Sequence, residues 1–131
     1  MTRWTRIAAL AAAAAVLAGC ASSPGDGSSP EPTVDVGEAA LGTWRSTENP
    51  DVFMEFVEGG EYSGSDGCNG FGGTYTVEDD ALLLEPGLST LIACPDVDTW
   101  LNRSVRATVS GDVLETYDAS GSRLGSLTRE P

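Results

Sequence analysis

The stretch SDGCNGFGGTY (Ser65–Tyr75) sets four glycines, an asparagine and a cysteine side by side in a chain that has only three cysteines. A ligand cradle, a reactive thiol and a structural turn would each use such residues. A phosphate cradle needs its glycines to open a helix with a basic residue nearby, whereas no Lys or Arg stands in this loop and the TYTV that follows reads as a strand. A reactive thiol is activated by a CxxC partner or a neighbouring cation, and Cys68 has neither in sequence. The turn remains. Gly67, Gly70 and Gly73 permit positive φ or close backbone approach, and Asn69 tolerates the left-handed region. The turn then launches a strand through Tyr75.

The beginning of the chain carries a different signal. MTRWTR holds Arg3 and Arg6 and no acid, and Ile7–Ala18 is an unbroken apolar run. A charged segment before a short apolar one is an export signal, and twelve residues fall well short of the roughly 20 a spanning helix needs. LAGC (Leu17–Cys20) closes the run and resembles a bacterial lipobox. The resemblance implies a signal peptide over 1–19, acylation of Cys20, and a protein anchored on the extracytoplasmic face of the cell membrane. Two or more acyl chains suffice for stable anchoring.

Residues 20–37 are rich in Ser, Pro, Gly and acid with no apolar period, the composition of a disordered tether. Residues 38–131 are then expected to form one domain, a size that folds alone but buries a modest share of its surface. Once 1–19 is removed, five arginines face twenty acids, a formal charge of −15 with no lysine and no histidine. Such a surface repels phosphates, so nucleic acid is excluded as a partner and the membrane is reached through the lipid alone. With Cys20 acylated, Cys68 and Cys94 are the pair left to oxidise in an exported protein, an expected disulfide.

Short β-rich segments punctuate the domain: LGTW (41–44), VFMEFV (52–57), GGTYTV (72–77), ALLL (81–84), TLIAC (90–94), RATVS (106–110), VLETY (113–117) and RLGSLT (123–128). Gly111-Asp112 is a two-residue hairpin signal. The expected class is mainly β (α+β): a small antiparallel curled sheet or partial barrel with one packed helix. That helix is expected in PDVDTWLNRSVR (95–106). Val97, Trp100, Leu101 and Val105 there follow helical spacing, with acids early and arginines late.

Chemistry is harder to place. The lack of His and Lys removes the usual general base, the triads and Schiff-base lysines. Asp79-Asp80, Asp96 with Asp98, and Glu58 with Glu61 offer oxygens, but none has calcium-loop spacing, and turn or helix-end roles account for them. No catalytic residue, metal or cofactor is expected. Asn102-Arg103-Ser104 matches a glycosylation pattern but falls in the expected helix. Phe53, Phe56, Tyr62, Phe71, Tyr75 and Tyr117 fit either a ligand-lined barrel interior or a packed core.

LGTW around Trp44, GCNGFGGTY (Gly67–Tyr75, including Phe71) and TLIAC with Thr90 and Ala93 occur in that order, and together they resemble the META domain, the HslJ-like heat-shock lipoprotein family. Ile92 and Leu127 depart from its pattern by hydrophobic exchange. The resemblance implies a small antiparallel β domain with one helix, in envelope proteins linked to stress and antibiotic tolerance, and it brings no catalytic residue. The expected function is a non-catalytic, lipid-anchored binding module for an unknown protein or small molecule. The alternatives are a carboxylate- or metal-dependent envelope enzyme and an inhibitor-type module for an exported hydrolase.

Overall fold

The computed structural model describes residues 34–131. The signal peptide, Cys20 and most of the tether read from the sequence lie outside the described residues. Eight antiparallel strands run β1 (Gly42–Arg45), β2 (Val52–Val57), β3 (Glu61–Asp66), β4 (Gly70–Glu78), β5 (Ala81–Ser89), β6 (Arg106–Ser110), β7 (Val113–Tyr117) and β8 (Arg123–Arg129). The sheet does more than curl. Each strand pairs with the next, and β8 returns to β1 through Trp44↔Arg129 and Arg45↔Thr128, closing a barrel.

Alternation explains the interior. Val52, Met54 and Phe56 point inward from β2 while Phe53, Glu55 and Val57 point out. Trp44, Leu82, Leu84, Ala107, Leu114 and Leu127 complete the core from other strands. Of the aromatic residues that could have lined a ligand chamber, Phe56 and Tyr62 are buried in this core, with Phe71 and Tyr75 packed partly against it. Phe53 and Tyr117 lie beneath the guanidinium groups of Arg45 and Arg106.

Two short elements pack at opposite ends. α1 (Val36–Ala40) sits by the β4–β5 and β6–β7 turns and takes in Val36 and Gly37, the last residues of the segment read as tether. Asp35 caps it by accepting from the Gly37 N–H, and its last carbonyls are met by side chains. The Trp44 indole donates to Ala40 O at 2.8 Å, and Arg129 donates to Ala39 O and Leu41 O. At the other end the expected helix over 95–106 is replaced by a single 3₁₀ turn, Trp100–Arg103. Val97, Thr99, Asn102, Ser104 and Val105 are weak helix formers, and a helix of that length is marginal without strong packing. Packing favours the shorter form: Leu101 is fully buried, and the Trp100 ring lies on Gly125, where any Cβ would press into it.

Two further expectations change. TLIAC is not a strand: β5 continues through Pro86 and Gly87 to Ser89, and residues 90–94 form an irregular segment. Conversely, EYSGSD (61–66), which has little β character, is β3. Its neighbours impose it, since β2 and β4 pair along both of its edges, and Gly64 leaves room for the Phe53 carbonyl that a Cβ would strike.

Candidate functional site

The β3–β4 turn and the 90–94 segment form one structure. Gly67 supplies the turn with φ +90°, and a Cβ there would crowd Asn49 and Val52 at 3.2 Å. Asp66, fully buried at the end of β3, accepts from the N–H groups of Cys68 (2.9 Å) and Asn69 (2.6 Å) and from the Asn102 side-chain amide (2.7 Å). The carboxylate thus organises its own turn and ties the 3₁₀ turn to the barrel.

Asn69 uses its side chain where the sequence pointed to its backbone, because its φ is not positive. Its Oδ1 accepts from Ile92 N–H (2.6 Å) and the Thr90 hydroxyl (3.0 Å), and its Nδ2 donates to Ile92 O (3.1 Å). A side-chain amide bonding both backbone groups of one residue replaces a ladder partner, which is why residues 90–94 can be ordered without being a strand. Thr90 N–H donates to Gly70 O at 3.0 Å, and Gly70 N–H donates to Thr90 Oγ1 at 3.1 Å. Cys68 and Cys94 are joined, with Cα atoms 6.1 Å apart. The disulfide closes the far end of the segment that Asn69 and Thr90 hold at its start.

The other residues singled out from the motifs fall into distinct places. Gly73 lets β4 approach β5, for a Cβ would overlap the Glu85 carbonyl. Gly70 is open, with its nearest neighbour 3.9 Å from a Cβ. Phe71 tilts against Tyr62, and Tyr75 meets Phe56 edge-on while its hydroxyl donates to Val57 O at 2.9 Å. Burial raises the Tyr75 pKa, aided by the nearby Glu58 charge, and burial alone raises that of Tyr62. Trp44 is enclosed in the core beneath Arg129, and Ala93 is exposed.

What the clamp presents is apolar. Leu88, Leu91 and Ile92 are 91%, 93% and 62% exposed, and Leu91 and Ile92 stand outside the strand expected for TLIAC. Sequence reasoning missed Asp66 and Asn102 as clamp members. An aspartate two and three residues before Cys68 and Asn69 was the available signal for the first; Asn102 had no local signal. Among the described residues no group of three or more Asp, Glu, His or Cys is placed to hold a metal. A concavity of about 780 Å³ lies at the opposite end, between α1 and the turns holding Asp79, Asp80 and Asp112. There Asp80 and Asp112 pair with Arg106 and Arg129.

These features define a class: a small, closed, antiparallel barrel in which a disulfide and an asparagine clamp fix a loop outside the strand ladder. The META domain family matches residues 34–130, and the chain belongs to that family. No curated protein and no solved structure gave a significant match.

Proposed function

We propose that this chain is a lipid-anchored protein of the bacterial cell envelope, on the extracytoplasmic face of the membrane. Its META domain serves as a non-catalytic binding module in stress or antibiotic tolerance. The observation that carries the binding role is the presentation of Leu88, Leu91 and Ile92. Large apolar side chains gain from leaving water, yet here a disulfide and the hydrogen bonds of Asn69, Gly70 and Thr90 hold residues 90–94 in a form that leaves Leu91 and Ile92 exposed, next to an equally exposed Leu88 at the end of β5. The anchor is supported by the export signal ending in LAGC, and the compartment by a paired Cys68 and Cys94.

Crosslinking in the native membrane tests the module, and fractionation tests the anchor. A discrete crosslinked partner is expected with the parent chain, and Cys20→Ser should move the protein from the membrane to the soluble fraction. No crosslinked species, or a Cys20→Ser variant that stays in the membrane, would refute the corresponding half.

A further inference from the structure

On the outer surface of β3–β5, Gly64, Gly70, Gly72 and Gly73 leave part of the floor as bare backbone. Leu88 stands between two shallow depressions on it. One, about 440 Å³, is bounded by Glu55, Val57 and Glu61 and runs over Gly72 and Gly73. The other, about 570 Å³, runs over Gly64, Gly70 and Phe71 to Thr90. Leu91 and Ile92, both exposed, follow Thr90 directly in the chain, so a strip of exposed apolar side chains runs along the sequence from the depression bounded by two carboxylates to the clamp.

We propose that this strip docks an extended peptide in which apolar side chains alternate with arginine or lysine. The inference rests on the binding-module reading and names its partner's chemistry. Glu55 and Glu61 take part in none of the ion pairs among the described residues, while Arg45, Arg106, Arg123 and Arg129 are each paired elsewhere. Over residues 34–131 five arginines face eighteen acids, a net −13. That field draws a cationic chain in and repels three other occupants: an acidic peptide, a phosphate-bearing lipid surface and a second copy of this chain. Charge alone would recruit any cation; Leu88, Leu91 and Ile92 require apolar side chains between the charges. The glycine floor lets an extended backbone lie close.

The test uses the full-length protein and three synthetic peptides of one length: alternating Leu and Arg, alternating Ser and Arg, and alternating Leu and Glu. Calorimetry should show binding of the Leu-Arg peptide alone, weakening steeply with salt. Combined replacement of Leu88, Leu91 and Ile92 by Ser should weaken it at least tenfold with the melting temperature unchanged, as all three are exposed. Glu55→Gln with Glu61→Gln should weaken it severalfold and flatten the salt dependence. Equal binding of the Ser-Arg peptide, or an undiminished triple variant, would overturn the proposal. So would triple-variant-sensitive binding to phosphatidylcholine vesicles or self-association in sedimentation, which would assign the strip to lipid or to a second copy. If no peptide binds but membrane crosslinking still captures a partner, this inference fails and the binding-module reading stands.

Discussion

On the side of the barrel formed by β6, β7, β8 and β1, apolar side chains do the holding: Ala107, Leu114, Leu127 and Trp44 are all but sealed from solvent, and Leu101 plugs the end beside them. On the side formed by β3, β4 and β5 the means are different. Not one of the nine residues of β4 is fully buried, and glycines replace side chains at Gly64, Gly70, Gly72 and Gly73. Tyr62 of β3 and Leu82 and Leu84 of β5 still reach the core, but order along β4 and at the clamp comes from backbone pairing, the Cys68–Cys94 bond and the amide and carboxylate groups of Asn69 and Asp66. A domain of about a hundred residues has little apolar surface to bury, and this one leaves β4 without a fully buried side chain and stiffens its clamp end by cross-linking. The second half is thereby free to keep leucines on its surface.

That contrast can be broken from either side. Trp44→Ala should have the largest effect, lowering unfolding free energy by about 3–5 kcal/mol in urea titrations, since it removes a buried indole and its bond to Ala40 O. A loss under about 1 kcal/mol would mean that the apolar half is not what holds the barrel. Cys94→Ser should cost about 3–4 kcal/mol, from the entropy of a loop closed over 26 residues. At roughly 4–8 °C per kcal/mol that is more than 10 °C in a thermal melt. Mass mapping of the unfolded, unreduced protein should find Cys68 and Cys94 unalkylated, and labelling at both would remove the staple from the comparison.

Asn69→Ala should cost about 1–3 kcal/mol by leaving Ile92 N–H and O without their partner. Amide exchange at Ile92 should accelerate while the amide of Leu114 in β7 stays protected. Equal acceleration at both would show that the halves do not open separately. The smallest effect belongs to the exposed acids of the apolar half. Hydrogen bonds from Arg123 and then Tyr117 lower the Glu115 pKa below its ordinary 4.5, and those from Ser120 and Ser122 lower that of Asp118. A carboxyl whose folded pKa is depressed contributes fully above its unfolded value and loses the contribution as pH falls through the folded one. Melting temperature should therefore slip slightly below pH 4.5, and Glu115→Gln should blunt that slope. An unchanged slope would deny Glu115 any part in it.

The two halves also differ in how legible they were. Alternation in VFMEFV and the Gly111-Asp112 turn located β2, β6 and β7, because their inward faces are apolar and local pattern is what strands of that kind need. EYSGSD and TLIAC misled in opposite directions. The first is a strand because its neighbours pair with it on both sides, and the second is no strand because Asn69 supplies its hydrogen bonds. The motif GCNGFGGTY located the turn, and the cysteine count located the staple that the structure shows between Cys68 and Cys94. What escaped it was the use made of them: exposure of Leu91 and Ile92 depends on a side chain more than twenty residues away, and no local period encodes that.

The closure of the barrel has a consequence in time. Seven of its eight strand pairings join strands consecutive in the chain, and six of these, all but β5 with β6, can zip as hairpins across short turns. The eighth, β1 with β8, rests on two residue pairs and on bonds such as Arg45 to Glu130, 85 positions apart. Bringing those ends together carries the greatest loop-closure entropy and recovers it only once the ring is nearly complete. The seam is thus the step that makes assembly all-or-none, and in refolding kinetics the quenching of Trp44 should trail the appearance of β structure.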